Sequence, residues 1–232
     1  LRPSSVHRSA SQCIAPLDGR GADRQQLLKG GVLKYKAILF DLDGTLLDTL
    51  DDIAHSLNSV LRDHDLQTHP TNRFRHMVGD GRYELVRRAV HEHRDDESLL
   101  RKIVSEMDER YAHCWNEKTR PYEGIDEMLH RCRRAGLVLC VLSNKKHEFT
   151  REMVSHFFPS HSFELVAGHR ENIPLKPDPA AALSIADELR IKPDEFLYMG
   201  DTNTDMYTAV SSGMYPVGVL WGFRDREELV EA

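Results

Sequence analysis

Residues 37–45 read Ala37-Ile38-Leu39-Phe40-Asp41-Leu42-Asp43-Gly44-Thr45, four apolar residues followed at once by acidic and small ones. The apolar run is typical of a buried strand, and the residues after it are typical of a loop. The same order recurs in residues 137–144, where six apolar residues precede Ser-Asn, and in residues 196–201. Such continuously apolar strands are expected in a parallel sheet that is covered on both faces, with helical patterns such as residues 181–189 between them. The sequence therefore predicts an α/β fold with a doubly wound parallel sheet.

Polar residues follow each of these strands. Asp41, Ser143 and Asp201 are far apart in the sequence, but each comes directly after an apolar run. In an open parallel sheet the carboxyl ends of the strands meet at one edge, and ligands bind beyond that edge. We therefore expect these three residues to lie in one site.

The segment between residues 51 and 119 has a different pattern. Ile53, Leu57 and Leu61 recur at helical spacing, and similar patterns predict helices around residues 85–90 and 99–107. We predict an inserted α-helical cap domain at residues 51–119 and a catalytic core at residues 35–50 and 120–232. Cap and core are joined by short linkers near residues 48–51 and 119–122, which favours opening and closing of the cap.

The composition restricts the classes of function. The chain has 232 residues, 40% hydrophobic and 29% charged, with a formal net charge of -6. This balance is typical of a soluble protein, predicts no nucleic-acid partner and no membrane partner, and leaves the oligomeric state open. The four cysteines form no C-x-x-C pair, which argues against a zinc site or a disulfide framework and favours a cytoplasmic location.

Residues 1–34 lack a sustained apolar period and are rich in Ser, Arg, Gly and Gln. We interpret them as a disordered N-terminal tail, a leader or an added extension rather than a targeting segment.

Several short motifs in a fixed order carry a resemblance to a known family. They are Asp41-x-Asp43-Gly44-Thr45, Ser143-Asn144, Lys176-Pro177 and Gly200-Asp201 with Asp205. This set resembles the motifs of phosphatases of the haloacid dehalogenase (HAD) superfamily, over about residues 35–223. The helical insertion is similar to the C1 cap of the subgroup that contains phosphoglycolate phosphatases. The resemblance implies a HAD-like Rossmannoid core with an inserted helical cap.

The resemblance makes Asp41 the nucleophile that takes up a phosphoryl group. A phosphate monoester repels a carboxylate, so this attack needs a cation and fixed hydrogen-bond donors. The implied cofactor is Mg²⁺, which prefers hard oxygen ligands. By resemblance its ligands are Asp41, the backbone carbonyl of Asp43 and Asp201, with Asp205 near the metal or orienting its waters. A single Asp after a strand is usually a turn or capping residue, but the cluster favours the functional interpretation.

Asp43 lies two residues beyond the nucleophile, where its side chain can reach the leaving-group oxygen. It is predicted to act first as an acid and then as a base toward water. By resemblance, an acidic residue at this position is the one that phosphatases and phosphomutases carry, whereas dehalogenases carry another residue there. The same resemblance gives Ser143 and Asn144 the role of holding phosphate oxygens, with Thr45 supporting the loop. Lys176 is implied to balance the phosphate and Asp41 charges.

In the predicted cap, residues 78–82 read Val-Gly-Asp-Gly-Arg. The glycines permit close backbone approach, and Arg82 could meet an anionic leaving group. An ordinary turn between helices, with a solvated Arg82, is an equally open interpretation.

The sequence thus predicts Mg²⁺-dependent hydrolysis of a small phosphorylated metabolite such as 2-phosphoglycolate. A phosphomutase similar to β-phosphoglucomutase, a pyrophosphatase and a nucleotidase are the enzymatic alternatives. A non-catalytic alternative is a binding module descended from a phosphatase. Such a module is expected to lose Asp41, Asp43, Lys176 or Asp201, and all four are present.

Overall fold

The structure is a computed structural model, and it describes residues 14–16, 28–29 and 32–232. Its strands are β1 (Ile14–Pro16), β2 (Leu28–Lys29), β3 (Val32–Leu33), β4 (Ala37–Phe40), β5 (Leu47–Asp48), β6 (Arg120–Pro121), β7 (Val138–Lys146), β8 (Leu165–His169), β9 (Phe196–Gly200) and β10 (Tyr215–Val219). Its α-helices are α1 (Leu50–Asp63), α2 (Arg82–Ala89), α3 (Glu97–Cys114), α4 (Ile125–Arg134), α5 (His147–Phe157), α6 (Ala180–Leu189), α7 (Asn203–Ser212) and α8 (Arg226–Glu231). Short 3-10 segments lie at Thr71–His76, His91–His93 and Pro193–Glu195.

The main sheet has the strand order β1-β10-β9-β4-β7-β8. The strands from β10 to β8 are parallel, and β1 pairs antiparallel with β10 at the edge. The central strand β4 pairs with β7 on one side and with β9 on the other, so that Phe40 lies opposite both Val141 and Met199. The chain runs from β4 outward to β8 and then returns to the other side, which makes the carboxyl end of β4 the switch point of the sheet. Asp41 is the next residue.

Helices cover both faces of this sheet, because alternate residues of β4 point to opposite sides. Ile38 and Phe40 belong to one apolar cluster, together with residues of α4 and α5. Ala37 and Leu39 belong to a second cluster, together with residues of α6 and α7. The predicted α/β fold with a doubly wound parallel sheet is confirmed.

The sequence patterns located some strands and missed others. The apolar runs at 37–40, 137–142 and 196–199 correspond to β4, β7 and β9. Strand β10 reads Tyr-Pro-Val-Gly-Val, and strand β8 ends in Gly-His. Proline and glycine argue against a strand in a sequence pattern, so neither segment was predicted. The paired strands β5 and β6 are only two residues each, too short to produce a period.

The residues between β5 and β6 form α1, α2, α3 and two 3-10 segments, as their helical spacing predicts. Helix α3 packs against both α1 and α2. Their apolar residues join the cluster on the α4 and α5 face of the sheet, so this segment shares a hydrophobic core with the rest of the chain. We propose the domain division given above, and we use "cap" for residues 51–119 and "core" for residues 35–50 and 120–232.

Two chain segments connect cap and core, and they are tied side by side. Strands β5 and β6 pair antiparallel, with Leu47 opposite Pro121 and Asp48 opposite Arg120. In the first turn of α1, the buried Asp52 carboxylate accepts hydrogen bonds from the backbone amides of Lys118 and Thr119 and from the Thr119 hydroxyl, all at 2.8–3.1 Å. The two linkers are therefore joined side by side, and we propose that they act as one double-stranded hinge.

Most of residues 1–34, predicted to be a disordered tail, lie outside the described residues. Of the described part, β1 joins the edge of the main sheet, and β2 pairs with β3 in a separate ribbon. Across the described segments, no helix combines the length and the apolar character that crossing a membrane requires.

We expect Asp52→Ala to destabilise the protein by about 3 kcal/mol, because two backbone amides and a buried hydroxyl lose their acceptor. Urea unfolding followed by circular dichroism measures this loss. Asp51→Ala is the matched control, since Asp51 is exposed in the same helical turn, and it is expected to cost under about 1 kcal/mol through the helix dipole. Equal losses for the two variants would contradict a role of Asp52 in joining the linkers.

Candidate active site

The residues predicted to form a site meet at the carboxyl edge of the sheet. Asp41 follows β4, Ser143 lies near the end of β7, and Asp201 follows β9. Lys176 reaches this edge from the loop before α6, and its Nζ lies 2.7 Å from Asp41 Oδ1 and 2.7 Å from Asp205 Oδ1. Residues from four separate parts of the chain therefore make one constellation.

Lys176 is a buried cation within this constellation. Its ammonium group donates to both carboxylates and also to the carbonyl oxygen of Leu142, at 3.3 Å. Burial opposes the charge, but Asp205 and Asp41 outweigh it and hold the pKa of Lys176 well above its ordinary value. The group is therefore charged at neutral pH.

Three buried carboxylates lie close together here, and two of them, Asp41 and Asp205, contact this single cation. Oxygens of Asp41, Asp201 and Asp205 all lie within 4.8 Å of one another. Burial raises the pKa of Asp41 to about 7, although Lys176 opposes that rise. Burial also raises the pKa of Asp201, with Asp205 and Asp41 adding to the effect. One ammonium does not balance three carboxylates, so the cluster fits a divalent cation such as Mg²⁺ that takes oxygen ligands.

The carboxylates of Asp201 and Asp205 are held by different partners. Asp201 accepts hydrogen bonds from the Thr45 hydroxyl at 3.2 Å and from the Phe223 amide at 2.7 Å. Asp205 accepts from Lys176 through one oxygen and from the Thr202 amide and hydroxyl through the other, in a capping box at the start of α7. Each oxygen of both carboxylates thus accepts at least one hydrogen bond and keeps a further lone pair for a metal, and Asp205 in addition positions Lys176.

A second group of potential metal ligands lies elsewhere, at Asp126, His130 and His161. His161 Nε2 lies 2.8 Å from Asp126, and its buried Nδ1 has no partner among the described residues. A metal on Nε2 would require a proton on Nδ1, and that N–H would then be buried without an acceptor. The aspartate cluster is therefore the better cation site.

Asp43 makes a contact that the sequence did not suggest. Its two carboxylate oxygens lie 2.8 and 2.9 Å from Nζ of Lys145, and both side chains are about nine-tenths buried. Burial opposes the charge on Lys145, but Asp43 outweighs it and raises the pKa of this ammonium above its ordinary value. Sequence reasoning missed Lys145 because an isolated lysine after a strand is usually solvated. Its place directly after Ser143-Asn144 was the available signal.

Ser143 and Asn144 have different surroundings. The Ser143 hydroxyl oxygen accepts from the Lys145 amide at 3.2 Å and donates to no other group that the structure describes, so it is available to a ligand in the cavity. The Asn144 amide group donates to the carbonyl oxygens of Gly79 and Lys176, and its oxygen accepts from the Lys176 amide. Asn144 therefore fastens the Lys176 loop and touches the cap. Its predicted role in holding phosphate stays a prediction, which these bonds disfavour.

A small cavity of about 80 Å³ separates Asp41 from the cap. It is lined from the core by Asp41, Asp43, Ser143, Asn144, Lys145, Lys146 and Phe149, and from the cap by Ile53, Val78, Gly79, Gly81, Arg82, Leu85, Met107, Asp108 and Tyr111. Arg82 faces this cavity, as the predicted role in substrate selection requires. Its guanidinium forms a long ion pair with Asp108 at 3.5 Å, a distance that Lys146 also keeps to the same carboxylate.

The cap loop at residues 78–82 is fastened directly to the core. Arg224 donates to the carbonyl oxygen of Val78 at 2.8 Å, and the Thr204 hydroxyl donates to Asp80 at 2.6 Å. Gly79 and Gly81 have φ values of 128° and 86°, a region that favours glycine. The described conformation is therefore closed over the cavity, with the loop held in place by hydrogen bonds from the core.

The chain is similar to several known proteins. A family model described as haloacid dehalogenase-like hydrolase matches residues 38–219. Phosphoglycolate phosphatase of Mannheimia succiniciproducens is 29% identical over 196 residues, which cover 82% of this chain and 88% of that protein. The same-named protein of Pseudomonas putida is 29% identical over 203 residues, covering 86% and 74%. A crystal structure of a predicted phosphoglycolate phosphatase from Haemophilus somnus has a TM-score of 0.79 at 27% identity, covering 87% of this chain and 92% of that one.

Gly44 allows the loop after β4 to approach Asp201. Its φ is +88°, and a Cβ there would lie 2.2 Å from Asp201 Oδ2. We expect Gly44→Ala to cost at least about 3 kcal/mol of unfolding free energy, because it adds a collision to the strain of a positive φ.

Gly136→Ala is the matched control for Gly44→Ala. Gly136 has a similar φ of +80°, but a Cβ there would meet nothing within 4 Å. It should therefore lose only the strain contribution, about 1–2 kcal/mol. Urea unfolding of both variants gives the difference, and equal losses would show that the contact with Asp201 is not close.

Proposed function

We propose that this chain, which belongs to the haloacid dehalogenase-like hydrolase family and is a phosphatase of that family, hydrolyses small phosphate monoesters. The proposed reaction passes through an aspartyl-phosphate on Asp41 and uses Mg²⁺ as cofactor. The observation that carries the proposal is the position of Asp41. Its carboxylate lies at the switch point of the sheet, 2.7 Å from the Lys176 ammonium, close to two further buried aspartates, and it lines the cavity beneath the cap. A phosphoryl group in that cavity has a nucleophile below it and positive charge beside it.

The first step forms a bond between an Asp41 oxygen and phosphorus and breaks the bond from phosphorus to the leaving-group oxygen. Asp43 gives its proton to that oxygen, so an alcohol departs. Lys176 and the Ser143 hydroxyl lie beside the position of the transferring phosphoryl oxygens and stabilise their charge. Asp41, Asp201 and the backbone carbonyl of Asp43 would hold a Mg²⁺ ion, which would supply positive charge to the transferring phosphoryl group.

The second step regenerates the enzyme. Asp43, now a carboxylate, takes a proton from a water molecule, whose oxygen attacks the phosphorus of the aspartyl-phosphate. The bond from phosphorus to Asp41 breaks, and inorganic phosphate leaves. The closed cap loop limits the access of other water to the intermediate.

The cavity supports a small and highly charged substrate. A volume of about 80 Å³ is room for about three water molecules at about 30 Å³ each, which suits a compact metabolite better than a nucleotide. Arg82 and Lys145 line this cavity and favour a leaving group that is itself anionic, whereas the charge of the more exposed Lys146 is compensated by Asp108 and water. The relatives described above are named phosphoglycolate phosphatases, and 2-phosphoglycolate fits both criteria.

We expect phosphate release from a panel of monoesters, with 2-phosphoglycolate the best substrate, and loss of activity when EDTA removes the metal. The panel includes sugar phosphates, nucleotides and pyrophosphate. Asp41→Asn should lower kcat by at least about a thousandfold, because it removes the nucleophile. Asp51→Asn is the control at an exposed carboxylate and should be fully active.

Other outcomes of this assay point to the alternatives. Transfer of phosphate between positions of a sugar, without release, would indicate a phosphomutase. Pyrophosphate or a nucleotide as the best substrate would replace the metabolite proposal. A failure to turn over any of these compounds, with or without Mg²⁺, would favour a binding module.

Asp43→Asn separates the two steps. With p-nitrophenyl phosphate, whose leaving group needs no proton, we expect a burst of about one nitrophenolate per enzyme and then slow turnover, because no base activates water. With an alkyl phosphate the first step should also slow, by about 100-fold or more. Rapid-quench measurements of both esters give these values. An equal decrease for the two esters without a burst would exclude Asp43 as the acid and base.

A further inference from the structure

We propose that Lys145 selects phosphate esters whose leaving group carries a carboxylate, because such a carboxylate takes over the Lys145 ammonium and releases Asp43 for catalysis. The inference rests on the proposed function and adds a specificity-determining residue to it. The argument starts from the ion pair between Lys145 and Asp43.

In the closed conformation Asp43 is fully engaged by Lys145. Its oxygens lie 2.8 and 2.9 Å from the ammonium nitrogen. To act as acid and base, Asp43 must turn one oxygen toward the leaving-group oxygen and carry a proton. It cannot keep the bidentate contact while it does so. Lys145 therefore loses at least one of its two contacts, and the proton on Asp43 cancels the negative charge that faced its ammonium.

Solvent water cannot easily replace Asp43 as the partner of the Lys145 ammonium. Its side chain is only 8% exposed, and its Nζ lies 4.7 Å from the centre of the ring of Tyr111, a residue of cap helix α3. The ammonium also interacts with the Tyr111 hydroxyl, which is neutral and provides no counter-charge. Tyr111 is itself fixed, edge-on to Phe149 at 5.2 Å and with its hydroxyl toward the Met153 sulfur. The ammonium is thus enclosed between core and cap, facing the cavity.

The other cations that line the cavity are more exposed to solvent than Lys145. Arg82 and Lys146 are 31% and 39% exposed, and they share Asp108 at a longer distance. Water or Asp108 can compensate either of them. Only Lys145, among the cavity cations described here, is both buried and paired with a residue that the chemistry needs.

The consequence is a difference between substrates. With a neutral leaving group, the release of Asp43 leaves a buried ammonium without a counter-charge, which is unfavourable. With a carboxylate on the leaving group, one carboxylate replaces another, and Lys145 stays paired. Because the penalty arises as Asp43 begins to act, it falls on the transition state and separates the two substrates in kcat as well as in kcat/KM.

The test compares 2-phosphoglycolate with its amide, 2-phosphoglycolamide, which has the same shape and no carboxylate charge. The wild-type enzyme should prefer the acid in kcat/KM by about 100-fold, with part of the ratio in kcat. Lys145→Met, which keeps the aliphatic stem, should reduce the ratio to within about threefold, and turnover of the amide should fall less than turnover of the acid. Lys146→Met controls for the loss of one positive charge from the cavity, and its ratio should stay within about threefold of wild type.

Several results would overturn the inference. They are a wild-type ratio near one, an equal loss for both esters in Lys145→Met, or an equal collapse of the ratio in Lys146→Met. The wild-type ratio needs no variant, so a misfolded Lys145→Met does not leave the inference untested, and Lys145→Gln provides a second variant. Failure of the proposed function looks different, because the wild-type enzyme would then release phosphate from no ester of the panel.

Discussion

The ammonium group of Lys176 lies between two carboxylates that are far apart in the sequence, Asp41 after β4 and Asp205 in α7. Like charges buried together repel strongly, and a phosphate dianion adds further negative charge. The Lys176 ammonium and the hydrogen bonds to Asp201 compensate part of that charge, and the proposed metal would compensate more. The sheet brings these residues together at its switch point, and the glycine at position 44 lets the loop after β4 pass close to Asp201. Fold and chemistry thus depend on the same electrostatic balance.

Sequence patterns reached the main sheet and the constellation around Asp41, and the physical reasons are clear. Strands β4, β7 and β9 are buried on both faces, so they are continuously apolar, and polar residues stand out at their ends. Strands β8 and β10 were missed because Gly and Pro interrupt them. Contacts that depend on the third dimension were also missed: Asp52 binding the opposite linker, Lys145 binding Asp43, and Asn144 fastening the Lys176 loop. The sequence alone does not distinguish these paired side chains from ordinary solvated ones.

Substrate recognition and chemistry meet at the contact between cap and core. Asn144 bonds both the Lys176 loop and Gly79 of the cap, and Tyr111 of the cap covers Lys145 of the core. Residues that contact the proposed catalytic groups therefore also contact the cap. In the proposed mechanism, closing the cap would do more than exclude water, because Tyr111 of the cap is part of the surroundings of Lys145.

The double-stranded hinge has a consequence for how this protein can change over evolutionary time. Strands β5 and β6 lie side by side, so the whole inserted segment leaves and re-enters the core at one point. A segment attached in this way can lengthen, shorten or be exchanged for another without moving a single strand of the sheet, since its two ends need only remain neighbours. New substrates can then be acquired by altering the insertion, while the inherited phosphoryl-transfer apparatus stays as it is.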